Sequence, residues 1–176
     1  GILLRRPFGE EELSAEARAG LARVFGRDLS AEEAVRTILA DVRREGEAAV
    51  RRYTRAFDGA EPASLEVTPA EIAAATAALD PAEMDAWRLA AAQVEAFHRH
   101  QPRAGWLDMG PDGALGQIVR PLARVGLYAP GGRNAYPSSL LMAAVPARVA
   151  GVSEIVVCTP PGRDGTINPS ILAVAG

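Results

Sequence analysis

The chain has 176 residues, 48% of them hydrophobic, and a net charge of −3. That length and composition suit one to one and a half folded domains and exclude a disordered chain, while the acidic balance excludes a basic nucleic-acid footprint. All 19 basic residues are Arg, which rules out a P-loop lysine or a lysine Schiff base within these residues, and no 18-residue apolar run or signal-peptide core is present.

In chain order, residues 1–9 form a short arm with apolar Ile2, Leu3 and Leu4, a pattern expected to dock on other surface. Residues 10–25 read as a helix with Leu13, Ala17, Leu21 and Val24 at three-to-four spacing. Ser30-x-x-Glu33 is a capping box for a second helix carrying Val35, Ile38, Leu39 and Val42 on one face. Gly46 interrupts it. A continuation from Glu47 to Phe57 turns Val50, Tyr53, Thr54 and Phe57 inward, and Asp58-Gly59 ends it. Thr68-Pro69-x-Glu71 starts another helix, and Asp80-Pro81-x-Glu83 starts a long one reaching to about His100. Its stripe is Met84, Trp87, Ala91, Val94 and Phe97 or His98.

After Pro102 the pattern changes. Trp106–Met109 and Leu115–Arg120 flank an Asp112-Gly113 turn and read as a hairpin. Then come an apolar run at 124–128, the break Pro130-Gly131-Gly132-Arg133-Asn134, an apolar helix from about Ser139 to Ala150, and a second apolar run, Ile155–Thr159. Strand, Gly-rich loop, helix, strand is a βαβ unit, and its two strands are expected to lie parallel. Asn168-Pro169 caps a last helix, Ser170–Ala175. The predicted fold is α/β: a helical N-terminal region with a short hairpin, residues 1–120, then the start of an incomplete Rossmann-like parallel domain, residues 121–176. A parallel sheet normally has more than two strands, so a longer polypeptide is expected.

Ligands of such units bind beyond the carboxyl end of the first strand. Tyr128, Pro130, Gly131 and Gly132 are therefore the candidate cofactor-binding residues. The loop is not Gly-x-Gly-x-x-Gly, and a tight turn needing positive φ would explain its glycines equally well. Tyr128 could stack on a ring or plug the sheet edge. His98 and His100 are two apart and splay on a helix, Cys158 is expected to be buried mid-strand, and Glu71 and Glu83 read as capping groups. No catalytic or metal-ligating residue is assigned.

Phe97-His98-x-x-Gln101, Ile118-x-Arg120-Pro121, Val125-Gly126-x-Tyr128-x-Pro130-Gly131-Gly132, Ser139-x-Leu141-Met142, Val145-Pro146-Ala147-Arg148-x-Ala150-Gly151-Val152 and Ile155-Val156-x-Cys158-Thr159-Pro160-Pro161 follow one another in an order that resembles histidinol dehydrogenases over the N-terminal part of that family. The resemblance implies zinc-dependent oxidation of L-histidinol to L-histidine with two NAD+, an intertwined homodimer with shared active sites, and a cytoplasmic enzyme touching neither nucleic acid nor membrane. It places the zinc ligands (Gln, His, Asp, His) and a Glu–His acid–base pair downstream of Gly176, and it carries over one NAD contact, Tyr128. The fragment alone is expected to be inactive. A sister enzyme oxidising another polyol, such as a sulfonated propanediol, and a non-catalytic assembly module are the alternatives.

Overall fold

The computed structural model describes residues 13–132 and 134–176. Contacts divide the chain into two compact units, Gly1–Gly59 and Ala60–Gly176. The apolar arm at Ile2–Leu4 lies outside the described residues, as does Arg133.

The first unit is helical: α1 (Ala15–Phe25), α2 (Ala31–Glu45) and α3 (Glu47–Asp58). Each boundary has a local cause. Ser14 accepts from the Ala17 N–H, and Gly26 stops α1 at φ 70°. Ser30 and Glu33 form the reciprocal capping box expected from their spacing. Gly46, at φ 61°, separates α2 from α3, a backbone conformation that a side chain would strain. Phe25, Tyr53 and Phe57 meet with ring centroids about 6 Å apart. Phe57 is nevertheless 46% exposed, so its inward assignment holds only for the part of the ring that meets Phe25 and Tyr53. At the α2–α3 junction Asp41 accepts from the Tyr53 hydroxyl at 2.6 Å and pairs with Arg44 and Arg52.

The second unit holds α4 (Pro69–Ala78), α5 (Pro81–His98), β1 (Trp106–Gly110), β2 (Gly113–Gln117), β3 (Arg124–Tyr128), α6 (Pro137–Val149), β4 (Glu154–Cys158) and α7 (Pro169–Ala175). Thr68 and Glu71 form the second capping box, and Asp80 and Asn168 cap α5 and α7 through their side-chain oxygens. The stripe of α5 resolves in favour of His98, since Phe97 is 68% exposed.

β1 and β2 pair antiparallel, Trp106 opposite Gln117 and Gly110 opposite Gly113. The connection is Pro111-Asp112, and Gly113 (φ 137°) already belongs to β2. The expected Asp112-Gly113 turn therefore sits one residue early, and β2 ends at Gln117 rather than Arg120. The hairpin is exposed on both faces.

β3 and β4 pair parallel, Arg124 opposite Glu154 and Tyr128 opposite Cys158, with α6 between them in sequence. Burial alternates along both strands, the period of a sheet covered on one face. Leu127 and Val157 face inward, onto a core of Ala129, Leu140 and Ile171. Arg124 and Glu154 form an ion pair at 3.1 Å. Cys158 is exposed. Its expected burial fails because the described helices cover only the other face.

Candidate functional site

The carboxyl end of β3 delivers Tyr128 and then Ala129, which is fully buried and donates its N–H to the Cys158 carbonyl at 2.9 Å. One rung of the sheet thus continues past Tyr128 and fixes where the loop departs. Tyr128 itself is 68% exposed. It does not plug the sheet edge, and its ring is available for stacking.

The loop is held at three points. The Tyr136 N–H donates to the Pro130 carbonyl at 3.0 Å and closes the turn. Gly131 lies hard against the end of β4: a Cβ there would stand 2.4 Å from Thr159 Oγ1 and 2.8 Å from the Pro160 carbonyl oxygen. Gly132 has φ 67°, the left-handed region where glycine is at ease. The first glycine therefore provides close approach and the second the turn. Thr159 Oγ1 is buried and makes no hydrogen bond, a polar group that ordinarily finds a partner.

The loop feeds α6, which begins with Pro137 and has no side-chain cap on its N-terminus. In its first turn Pro137 has no N–H and the Ser139 N–H is closed on the Tyr136 carbonyl at 3.0 Å, so the Ser138 N–H and the positive helix end are what a phosphate would meet. Pro137, Leu140 and Leu141 are buried and anchor this end. Inside the helix Pro146 removes the N–H that would reach Met142.

Beside the loop, within the same unit, lies a cleft of about 680 Å³. It is open to solvent, with Glu83 and Trp87 of α5 on one side, Asn134, Tyr136 and Ser138 on another, and Ser170 at its border. Glu83 was expected to cap its own helix. Instead its Oε1 accepts from Trp87 Nε1 at 3.1 Å and from Ser170 Oγ at 2.7 Å, and Asp80 alone caps α5. Sequence reasoning missed this role because Ser170 lies 87 residues away. The available signal was that Asp80 already supplied the cap.

His98 ends α5, with Nδ1 2.7 Å from Gln101 Oε1, while His100 lies beyond the helix. Among the described residues no group of three or more His, Cys, Asp or Glu could hold a metal ion. A catalytic zinc site takes three protein ligands, so these residues do not fit one.

A family model described as histidinol dehydrogenase matches residues 23–176. The chain is 49% identical over 172 residues to histidinol dehydrogenase of Deinococcus radiodurans, covering 98% of this chain and 39% of that protein. It is 55% identical over 144 residues to the enzyme of the same name from Moorella thermoacetica, covering 80% and 34%. The crystal structure of histidinol dehydrogenase from Elizabethkingia anophelis superposes with a TM-score of 0.76 at 33% identity, over 85% of this chain and 35% of that one. The match thus spans between a third and two-fifths of the length of these curated relatives.

Proposed function

This chain belongs to the histidinol dehydrogenase family, and from that premise we propose that it is the N-terminal part of a zinc-dependent enzyme that oxidises L-histidinol to L-histidine with two NAD+. Residues 1–120 would belong to its first domain, and residues 121–176 would begin the second, Rossmann-like one. The observation that carries the cofactor assignment is the exposed ring of Tyr128, held at the end of β3 where the loop turns toward the uncapped start of α6. NAD+ supplies the hydride acceptor when bound. Tyr128 offers a stacking face, Pro130, Gly131 and Gly132 set the path of the backbone beside it, and the start of α6 offers the Ser138 N–H and its positive helix end to a phosphate.

The family resemblance puts the zinc ligands and the acid–base pair in sequence downstream of Gly176. The homodimer with shared active sites and the cytoplasmic location rest on the family resemblance. No described helix is long and apolar enough to cross a membrane. Relatives carrying the histidinol dehydrogenase name at 49% and 55% identity support histidinol over another polyol as substrate.

The test uses the complete polypeptide. NADH formation from histidinol and NAD+ is expected, and its absence would refute the function. Tyr128→Ala is expected to raise KM for NAD+ by about tenfold, the loss of roughly 1–2 kcal/mol of stacking, and to move KM for histidinol less. An unchanged NAD+ KM would refute the role of Tyr128.

A further inference from the structure

Resting on the reading of the Gly loop as an NAD+ site, we infer that the adjoining cleft receives a ribose of the dinucleotide, and that Glu83 reads its diol and discriminates against a 2′-phosphorylated cofactor. The cleft begins where the Gly131–Gly132 turn ends, because the Tyr136 N–H is tied back to the Pro130 carbonyl. In a dinucleotide each ribose is joined to the pyrophosphate through a single methylene. A phosphate at the start of α6 therefore brings a ribose within reach of the neighbouring wall.

The chemistry of that wall selects the group. Both hydrogen bonds to Glu83 fall on Oε1. No described residue donates to Oε2, and no described cation pairs with the carboxylate. Glu83 lies in the first turn of α5, and the first turn of α6 also lines the cleft. Two positive helix ends disfavour a cationic ligand. An anion at Oε2 is repelled by the carboxylate itself. A neutral donor remains, and a vicinal diol presents two such O–H groups. The half-buried indole of Trp87 supplies an apolar wall for the C–H face of a sugar, and Asn134 supplies an amide on the loop side. An acidic residue on the ribose hydroxyls is also the general means by which Rossmann-type sites prefer NAD over NADP.

The experiment compares kcat/KM for NAD+ and NADP+ with histidinol, using the complete enzyme and its Glu83→Gln variant. Gln keeps an oxygen for Trp87 and Ser170 but removes the charge. The NAD+/NADP+ ratio is expected to fall at least tenfold. Turnover with NAD+ at an unchanged ratio would overturn the inference while leaving the proposed reaction standing, whereas absence of any NAD+-dependent turnover in the unsubstituted enzyme would reject the reading on which the inference rests. If Glu83→Gln does not fold, Asn134→Ala, at an exposed position, makes the same decision. It is expected to raise KM for NAD+ at least fivefold, and an unchanged value overturns the inference.

Discussion

Gly131 offers the sharpest test of how the loop is built. Its φ is not positive, so an alanine meets no left-handed backbone penalty there, and the only cost of Gly131→Ala is steric, set against the gain of up to about 1 kcal/mol that Gly→Ala brings through the unfolded chain. The added Cβ would lie 2.4 Å from Thr159 Oγ1 and 2.8 Å from the Pro160 carbonyl oxygen, both well inside ordinary contact. Neither obstacle is the far end of a flexible side chain: one is a branch of a short β-branched residue and the other is backbone. The loop must move away from β4, and overpacking of this kind costs about 1–3 kcal/mol. For a domain of this size that corresponds to a fall in Tm of roughly 4–12 °C. Circular dichroism on heating reads it. Gly126→Ala is the control, because a Cβ at that strand position meets nothing within 4 Å, and its Tm is expected to stay within about 2 °C or to rise slightly, alanine suiting a strand better than glycine. Thr159→Ala in the Gly131→Ala background removes the nearer obstacle and is expected to restore part of the loss. Equal melting of Gly131→Ala and Gly126→Ala would refute the close-approach argument.

Thr159→Val replaces a buried hydroxyl that makes no hydrogen bond and is expected to be neutral or to stabilise by about 1 kcal/mol; a loss of more than about 1 kcal/mol in urea unfolding would mean that the hydroxyl is paired. On the acid side, the backbone N–H of Ser30 beside Glu33, and of Thr68 beside Glu71, holds each carboxyl below its usual value, while the Tyr53 hydroxyl and then Arg44 and Arg52 do so for Asp41. Groups with lowered folded pKa values contribute stability above their unfolded values, 4.5 for Glu and 3.8 for Asp, and lose it as pH falls through the depressed ones. Melting temperature is therefore expected to drop below pH 4.5, with Glu33→Gln and Glu71→Gln flattening the drop; an unchanged profile in the double variant would refute the linkage. Purified residues 1–176 are expected to bind no stoichiometric zinc and to form no NADH from histidinol, and one equivalent of zinc with turnover would show that the metal site had been misplaced.

The local features were legible in the sequence because their causes are local. Ser30 with Glu33, Thr68 with Glu71 and Asn168 with Pro169 mark helix starts through contacts within a few residues, and all lie where their spacing put them. The βαβ order from 124 to 158 was readable from the alternation of apolar runs with a glycine break. The features that escaped depend on distant chain. Glu83 looked like a capping residue until Ser170 arrived beside it, and Cys158 looked buried because parallel strands usually are. The closeness of Gly131 to Thr159 is likewise set by the meeting of two strand ends, which neither glycine spacing nor composition encodes.

The parallel ladder also bears on how the chain reaches this state. Every paired residue on β3 stands 30 positions before its partner on β4, from Arg124 with Glu154 to Tyr128 with Cys158, and the Ser153 hydroxyl bonds the Ala123 carbonyl across the same interval. No rung can form early through a short hairpin-like closure, so the first contact bears the full loop entropy and the others follow at little further expense. The strands should therefore zip together in one cooperative step, after α6 has drawn the two ends near each other. The amides of β3 and β4 that are bonded across the ladder would then exchange with solvent at a common rate, as a single unit of opening rather than by fraying from one end.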